Sequence, residues 1–445
     1  EVRYVGGYSK ELTRSIDYNQ LDILNNGFLP DFQRAQNNLA LVEARRAQIT
    51  ASGLTGAALT AALAPFPLSA GFNSNLVGSL ATPVFNKLDD GGSLTNSTVL
   101  NLIRTGVPGA LAETYVAFGY TGVPFVANPN SGVVNFTTNG GRYNYNSLQV
   151  EYRRRFTKGL SLQANYTFQK ILTDVTGSTD EVNQTRVEPY LTNSDPSRDY
   201  GRAIYDRTHT FNFNGQYELP FGKGKRFLNE GGVMDRIFGG FQISSIVNIS
   251  SGVPTTIIDS RATVNRAGRS ATQPATTSLT AKGVQDLFGV FKTPNGVFVI
   301  NPSVLFATAT APGQPTLSGF DLNQPLPAGY TIASVRGANP VGTAPFAGQV
   351  FFPNVAGSTG NMQRNAFNGP MYFNWDAGLL KNIRITENTR IQLRAEMFNV
   401  LNHANFFAGS NPGILDVGST SFGRLTASGN AYAPRIVQFG VRFEF

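Results

Sequence analysis

The sequence predicts an all-β protein, an antiparallel transmembrane β-barrel whose long external loops carry short helices. Three observations predict it: an alternating terminal strand, a composition without membrane helices, and connections of very unequal length. In the terminal stretch 435–445 successive side chains point to opposite faces of a strand. One face is apolar and the other polar, as a strand between lipid and a wet lumen requires. The apolar face carries Val437, Phe439, Val441, Phe443 and Phe445, and the polar face carries Gln438, Gly440, Arg442 and Glu444.

The composition suits a barrel better than a helical membrane protein or a nucleic-acid-binding protein. Of the 445 residues 41% are hydrophobic and only 14% are charged, and no window approaches the ~18 apolar residues of a membrane helix. The 47 Gly, 33 Phe and 16 Tyr suit turns and aromatic girdles. The net charge of +8 is scattered along strands and turns, so we expect no nucleic-acid partner. The absence of cysteine excludes disulfides and thiolate metal sites.

The first part of the chain is predicted to leave the barrel soon after it begins. Residues 1–12 read as a truncated barrel strand already in progress, without a secretory signal, which predicts the later part of a longer precursor. Residues 13–141 read as a long external insertion, a lid or a small subdomain. Apolar residues at helical spacing within it predict short helices over 28–46, 96–106 and 110–115.

Residues 142–259 are predicted to be barrel strands. Leu148, Val150 and Tyr152 alternate with polar neighbours, and Lys158-Gly159 provides a two-residue hairpin turn. Arg154 is the one charged residue on the apolar face of this strand. Two further alternating runs follow, at 211–219 and 241–249.

The rest of the chain repeats this organisation. Residues 260–369, rich in Thr, Ala, Gly, Pro and Asn, are predicted to form a second long external loop with an apolar hairpin around 296–300. Residues 370–445 are predicted to be terminal barrel strands that turn at 387–389. Short and long connections alternate along the chain, so we place them at opposite ends of the strands, with the long ones outside the cell.

Several phrases, in order over 142–445, resemble the C-terminal barrel of TonB-dependent outer-membrane receptors of the Oar-like, carboxypeptidase-regulatory-domain type. The phrases are Tyr145-Asn-Ser-Leu-Gln-Val150, Tyr166-Thr-Phe-Gln-Lys170, Asp206-Arg-Thr-His209, Tyr217-Glu-Leu-Pro-Phe-Gly-Lys-Gly-Lys225, Gly360-Asn-Met-Gln-Arg-Asn365, Leu380-Lys-Asn-Ile-Arg-Ile385, Arg394-Ala-Glu-Met-Phe-Asn-Val-Leu-Asn-His403 and the terminal Phe439-Gly-Val-Arg-Phe-Glu-Phe445.

The resemblance implies a barrel of roughly 22 strands filled by an N-terminal plug. This chain would be its C-terminal part, because it has no plug, no TonB-contacting segment and no early strands. The implied function is uptake of an unidentified solute across the outer membrane, with TonB reached through a plug domain absent from this chain. The resemblance also implies that Phe439, Val441, Phe443 and Phe445 form the assembly signal read by the barrel-insertion machinery.

The polar faces supply candidate solute contacts, although any wet lumen needs polar side chains and we favour that simpler interpretation for each residue. The candidates for lining the lumen are Glu151, Arg153, Arg155, Glu218, Arg394, Glu396 and Arg442. The candidates for ligand contact in an external loop are Asp195, Arg198, Asp199 and Tyr200.

No motif predicts an enzyme, a metal site or a cofactor. His209 and His403 stand at strand ends without metal-ligand spacing, so we interpret them as loop or girdle residues. Gly222-Lys-Gly-Lys225 lacks phosphate-loop spacing and is interpreted as a basic inner turn. Ser250-Ser-Gly252 lacks the G-x-S-x-G pattern of a nucleophile elbow.

Two other classes of protein remain open at this point. A passive, porin-like channel is one, although a closed barrel of about eight strands fills its interior with side chains. A structural surface protein, such as a soluble β-sandwich adhesin, is the other, because sandwich strands also alternate.

Overall fold

The computed structural model describes residues 1–88, 96–120, 122–175, 189–386, 389–407, 412–426 and 431–445. Its strands, in chain order, are β1 (Val2–Asp17), β2 (Asn135–Thr157), β3 (Leu160–Thr173), β4 (Gly201–Arg202), β5 (His209–Glu218), β6 (Phe241–Ser250), β7 (Pro254–Thr255), β8 (Thr276–Thr277), β9 (Phe288–Thr293), β10 (Gly296–Ile300), β11 (Phe306–Thr310), β12 (Leu317–Phe320), β13 (Thr331–Arg336), β14 (Phe351–Phe352), β15 (Phe367–Asn368), β16 (Tyr372–Arg384), β17 (Arg390–Phe398), β18 (Arg424–Leu425) and β19 (Ile436–Glu444).

The helices lie between the strands, and all except the 24-residue α1 are short. They are α1 (Phe28–Ala51), α2 (Gly56–Leu63), α3 (Pro83–Leu88), α4 (Asn96–Arg104), α5 (Pro108–Ala117), α6 (Val233–Phe238), α7 (Ala267–Ser270) and α8 (Ala281–Gln285), with 3-10 turns at Pro196–Asp199, Pro302–Val304 and Pro412–Ile414. Within the described residues, none of these helices is long and apolar enough to cross a membrane.

A nine-stranded antiparallel sheet dominates the molecule. Its order is β1-β2-β3-β5-β6-β16-β17-β19, with β4 paired to the end of β3, so each long strand lies beside the next one in the chain. The long strands therefore run up and down in chain order. The long strands contain 9 to 23 residues, and tilted strands of about ten residues cross the ~25 Å apolar band of an outer membrane.

The register of the sheet produces apolar and polar rows that alternate along the strands. Val150, Tyr166, Phe211, Ile249 and Phe373 lie opposite one another across five neighbouring strands and form an apolar row. The next row is Glu151, Asn165, Asn212, Asn248 and Asn374, which is wholly polar. Residues directly opposite in a sheet share a face, so one face of this sheet is apolar and the other polar.

The apolar face lies exposed on the outside of the molecule. Phe439 is 79% exposed, Val441 76% and Leu393 38%. In the described part of the chain, the two buried hydrophobic clusters lie in the long connections and include no residue of the eight long strands. Among the described residues, neither buried cluster therefore covers the apolar face of the sheet.

The sheet is open in this structure. β1 pairs only with β2, and β19 pairs only with β17, so each end strand has one edge without a strand partner among the described residues. Unpaired strand edges are sites where further strands add.

The connections separate by length as predicted. Residues 158–159, 219–240 and 385–389 join strands at one end of the sheet, whereas 18–134, 174–208, 251–371 and 399–435 join them at the other. The turn predicted at 387–389 includes Glu387 and Asn388, which lie outside the described residues.

The first long connection forms a helical cap, which we define as residues 18–134. α1, α4 and α5 coincide with the three predicted helices and pack Phe28, Phe32, Ile103, Leu111 and Tyr115 into one core. The predicted boundaries at 12 and 141 are wrong: β1 continues to Asp17 and β2 begins at Asn135. The sequence hides these ends because the pairing of β1 with β2 shifts register twice, between Ser9 and Leu12 and between Leu12 and Arg14, which breaks the alternation of both strands.

The second long connection forms a β cap, which we define as residues 251–371 together with 412–426. The expected hairpin around 296–300 is confirmed as the pair β9 and β10. The expected limits of 260–369 are too narrow, because β18 in the last connection pairs with β10, and Ile414, Val417 and Phe422 complete the buried core of this cap.

Candidate functional site

The polar face of the sheet is the candidate solute path, and its charged residues have polar neighbours. Glu151 accepts a hydrogen bond from Gln163 at 3.0 Å, and Arg394 donates to Gln392 at 2.7 Å. Glu396 accepts from Gln438 at 3.4 Å, Glu218 pairs with Lys225 at 2.5 Å, and Arg442 pairs with Glu444 at 3.1 Å. Arg153 and Arg155 are exposed. The role of these seven residues in lining a path stays a prediction.

The polar row of Asn165, Asn212, Asn248 and Asn374 is the most regular feature of this face. The row across four strands follows only from the register and not from any one stretch of sequence. An amide side chain presents both donors and acceptors. The row therefore offers neutral hydrogen-bonding groups across four strands of the polar face.

The external-loop candidates divide into exposed and buried residues. Asp195 and Arg198 form an exposed ion pair at 3.1 Å, and a hydrogen bond from Ser197 lowers the pKa of Asp195 below its usual value. The guanidinium of Arg142 lies 5.0 Å from the ring centroid of Tyr200. Ligand contact by these three residues stays a prediction.

Asp199 differs because it is buried and already held by the protein. It accepts from Arg364 Nη1 at 3.0 Å and from the Leu191 amide at 2.9 Å, and Arg14 lies 3.7 Å away. Asp199 therefore links parts of the protein to each other and does not face solvent. The sequence could not show this, because buried and exposed aspartates look alike in a polar loop.

Arg14 joins the sheet to the loops above it. The bulge at Glu11, where φ is +61°, moves Arg14 to the face opposite that of Tyr4 and Tyr8. There Arg14 is fully buried, donates to the Asp174 carbonyl and stacks 4.0 Å from the ring centroid of Tyr190. The register shift therefore buries a cation beneath the external connections.

A second ionic junction joins the two caps. Arg266 of the β cap donates to the Asn19 carbonyl at 2.9 Å and lies 4.0 Å from both Asp17 and Glu113. Nearby, the Gly109 amide donates to the Ala262 carbonyl at 3.0 Å, and a Cβ on Gly109 would lie 2.2 Å from the Asn265 carbonyl oxygen. The caps are thus in direct backbone contact at the N-terminal end of α5.

Beside this junction the caps enclose a cleft, which we call the cap cleft. Its volume is about 800 Å³, within the range of pockets that hold small molecules. One wall is the face of α1 that carries Ala40, Ala44 and Ala47, and the other is the segment 336–343 of the β cap. The small alanine side chains keep this wall apolar and open.

Two of the three arginines that line the cap cleft already have a carboxylate partner within the protein. Arg104 donates to Glu43 at 2.8 and 2.5 Å. Arg261 pairs with Asp259 and donates to the carbonyls of Thr105 and Asn354 at 2.7 and 2.8 Å. Arg261 thereby holds α4 of the helical cap against the β cap.

Arg336, at the end of β13, is the third arginine. Among the described residues it has no ion pair or side-chain hydrogen bond, and its Nε is buried without a hydrogen-bond partner. Sequence reasoning missed it because one arginine in a long loop carries no pattern. Only the folded β cap brings it to face the alanines of α1.

Both histidines lie in aromatic surroundings at the outer end of the strands. His209 Nδ1 lies 2.8 Å from the Tyr166 hydroxyl, and its ring packs on Phe168. His403 packs edge-on against Phe373 with centroids 5.7 Å apart. Among the described residues no group of three or more His, Asp or Glu side chains is placed to hold a metal ion.

Comparison with protein families agrees with this geometry. The family model described as an outer membrane beta barrel domain matches residues 1–438. The chain belongs to this family. It is therefore an outer-membrane β-barrel protein of bacteria, and the apolar face of its sheet is the lipid-facing surface. A search of curated proteins gives no match.

Proposed function

We propose that this outer-membrane chain forms part of the wall of a TonB-dependent transporter that takes up a solute. The observation that carries the proposal is the open sheet, whose end strands β1 and β19 do not meet. A passive barrel of about eight strands would close these edges on each other. Two free edges instead fit a wider barrel to which further strands add.

The two faces of the sheet would have different functions in such a transporter. The polar face, with its asparagine row, gives the solute a hydrogen-bonding path, and the lipid-facing side holds the wall in the membrane. The helical cap and the β cap stand over the outer end of the strands, where a solute first arrives. TonB would act through a plug domain outside this chain, as the family resemblance implies.

Co-purification with TonB tests the proposal. The receptor expressed from its native gene is predicted to bind the periplasmic domain of TonB after cross-linking in cells, and to lose it when the polar segment that contacts TonB is deleted. Absence of any TonB complex contradicts the proposal.

Ion conductance separates the proposal from a passive channel. This chain, purified in detergent and added to planar bilayers, is predicted to give no stable pore, because its sheet does not close by itself. A steady conductance supports the porin-like alternative. A monodisperse monomer in buffer without detergent supports the soluble adhesin instead.

A further inference from the structure

We infer that the cap cleft is a binding site for an amphipathic anion, a solute with an apolar body and one anionic group such as a carboxylate, sulfonate or phosphate. The inference rests on the proposed uptake function and adds to it the chemical class of the solute. It depends on the walls of the cleft and on the state of Arg336.

The walls favour a partly apolar ligand. Ala40, Ala44 and Ala47 repeat at helical spacing along α1, and Val341 and Val417 stand on the β cap side. Removing apolar surface from water is favourable in proportion to its area, so an apolar body gains free energy by displacing water between these walls. The cleft volume of about 800 Å³ accommodates a molecule of considerable size.

The charges favour an anion. Arg104 and Arg261 are already neutralised by Glu43 and Asp259, so they offer an incoming ligand little net charge. Arg336 is different because no carboxylate pairs with it among the described residues, and its buried Nε lacks an acceptor. Arg336 lines the cleft, so an anionic oxygen there would give this unpaired guanidinium a charge-assisted hydrogen bond.

The position of the cleft agrees with capture of a ligand from outside. The two caps meet at Gly106, where φ is +68° and Gln36, Arg261 and Val341 all approach within about 3.5 Å of a Cβ position. Arg261 also joins the caps through the Thr105 carbonyl. The cleft therefore has walls held by direct contacts between the caps rather than by loose loop ends.

Protection of a single cysteine tests the inference with this chain in detergent. The native chain has no cysteine, so Ala44→Cys places one thiol in the cleft, and Ala57→Cys on the exposed α2 places one outside it. The rate of thiol labelling is measured with toluene-4-sulfonate, with its neutral counterpart toluene-4-sulfonamide, and with inorganic sulfate. The sulfonate is expected to slow labelling at position 44 more than either other compound, and to leave position 57 unaffected.

Substitution of the arginine completes the test. Arg336→Gln is expected to weaken protection by the sulfonate about tenfold, the effect of losing one charge-assisted hydrogen bond. Lys292→Gln removes the same charge from an exposed site on β9 and is expected to change nothing. An unchanged labelling rate at position 44 in the Arg336→Gln chain without ligand shows that the cleft keeps its structure.

Three results would overturn the inference. They are equal protection by the sulfonate and the sulfonamide, protection by sulfate alone as strong as by the sulfonate, and protection that survives Arg336→Gln. The labelling reports on the cleft only, so its failure is distinct from failure of the receptor to bind TonB.

Discussion

Arg14 shows how one residue connects the membrane sheet to the external caps. It lies between the Asp199 carboxylate, the Asp174 carbonyl and the Tyr190 ring, and none of its side chain reaches solvent. A buried ion pair adds little more to the stability of the fold than a well-packed apolar pair would. Removing one partner, however, leaves an uncompensated buried charge, which is strongly destabilising. Among the described residues, removal of Arg14 would leave Asp199 with the cation of Arg364.

Replacing Arg14 tests this anchor. Arg14→Met keeps an unbranched apolar stem but removes the charge and leaves the buried carboxylate partly uncompensated, so the free energy of unfolding is expected to fall by about 3 kcal/mol. Denaturant unfolding of the detergent-solubilised chain measures it. As a control, Lys282→Ala breaks the exposed pair with Asp286 and is expected to cost no more than about 0.5 kcal/mol. Equal effects of the two substitutions would contradict the anchor.

Tyr190 lies beside Arg14, and its hydroxyl group is expected to make the folded chain less stable at alkaline pH. Burial raises the pKa of its hydroxyl above the ordinary value of 10.0, and the charge of Asp174 raises it further. The folded chain therefore keeps this proton to higher pH than the unfolded chain. The stability linked to Tyr190 is complete below the unfolded pKa and is lost as pH rises through the folded one.

Tyr190→Phe removes the titrating group and is the matched variant. Its denaturation midpoint is expected to fall less than that of the native chain between about pH 9 and about pH 11. Identical slopes in the two chains would show that this hydroxyl titrates alike in the folded and unfolded states.

At the scale of elements, the hairpin of β2 and β3 has the tightest described connection of the sheet. Lys158 and Gly159 both have positive φ, 52° and 80°, as the two-residue turns that match strand twist require. A Cβ on Gly159 would also lie 3.1 Å from the Glu218 carbonyl oxygen. Glycine at this position therefore serves both the turn and the approach of the next strand.

Gly159→Val is expected to destabilise the hairpin by about 1–2 kcal/mol, because a branched side chain disfavours the left-handed conformation. Lys158→Asn is the control, since asparagine tolerates positive φ, and it is expected to be neutral or stabilising. Unfolding of the two variants in the same detergent measures the difference. A neutral Gly159→Val would mean that the turn does not limit stability.

The elements also show what the sequence could predict. Strands such as β3 and β19 keep strict alternation, and α1 keeps its apolar spacing, so their type and position followed from the residues alone. α2 and α3 were missed, since α2 has no buried face whose spacing could reveal it. β18 was also missed, because two residues in the last connection pair with a strand that lies far away in the chain.

At the scale of the molecule, the sequence predicted one sheet and two external insertions but not how they join. The alternation of short and long connections placed both insertions at one end of the strands, and the structure confirms it. The cap cleft arises from residues far apart in the chain, such as Ala44 and Arg336, and no local pattern links them. Contacts of this kind depend on the whole fold.

The terminal strand β19 shows one feature that the sequence predicts, its apolar face, and one that only the structure shows, its free edge. Phe439, Val441, Phe443 and Phe445 lie exposed on the lipid-facing side, as the alternation predicts. β19 also has a free edge, which is where a neighbouring strand or the insertion machinery could pair. The role of these four residues as an assembly signal stays a prediction.

The most direct test of the account is the environment of alternate residues in a lipid bilayer. Because the chain has no native cysteine, spin labels can be placed singly at Leu393, Phe439 and Val441 on one face, and at Arg394 and Gln438 on the other. Oxygen, which dissolves in lipid, is expected to relax the first three labels more strongly, and a water-soluble nickel complex is expected to relax the other two more strongly. Preferential access of the nickel complex to Leu393, Phe439 and Val441, or equal access to both sets, would contradict a sheet that faces lipid on its apolar side.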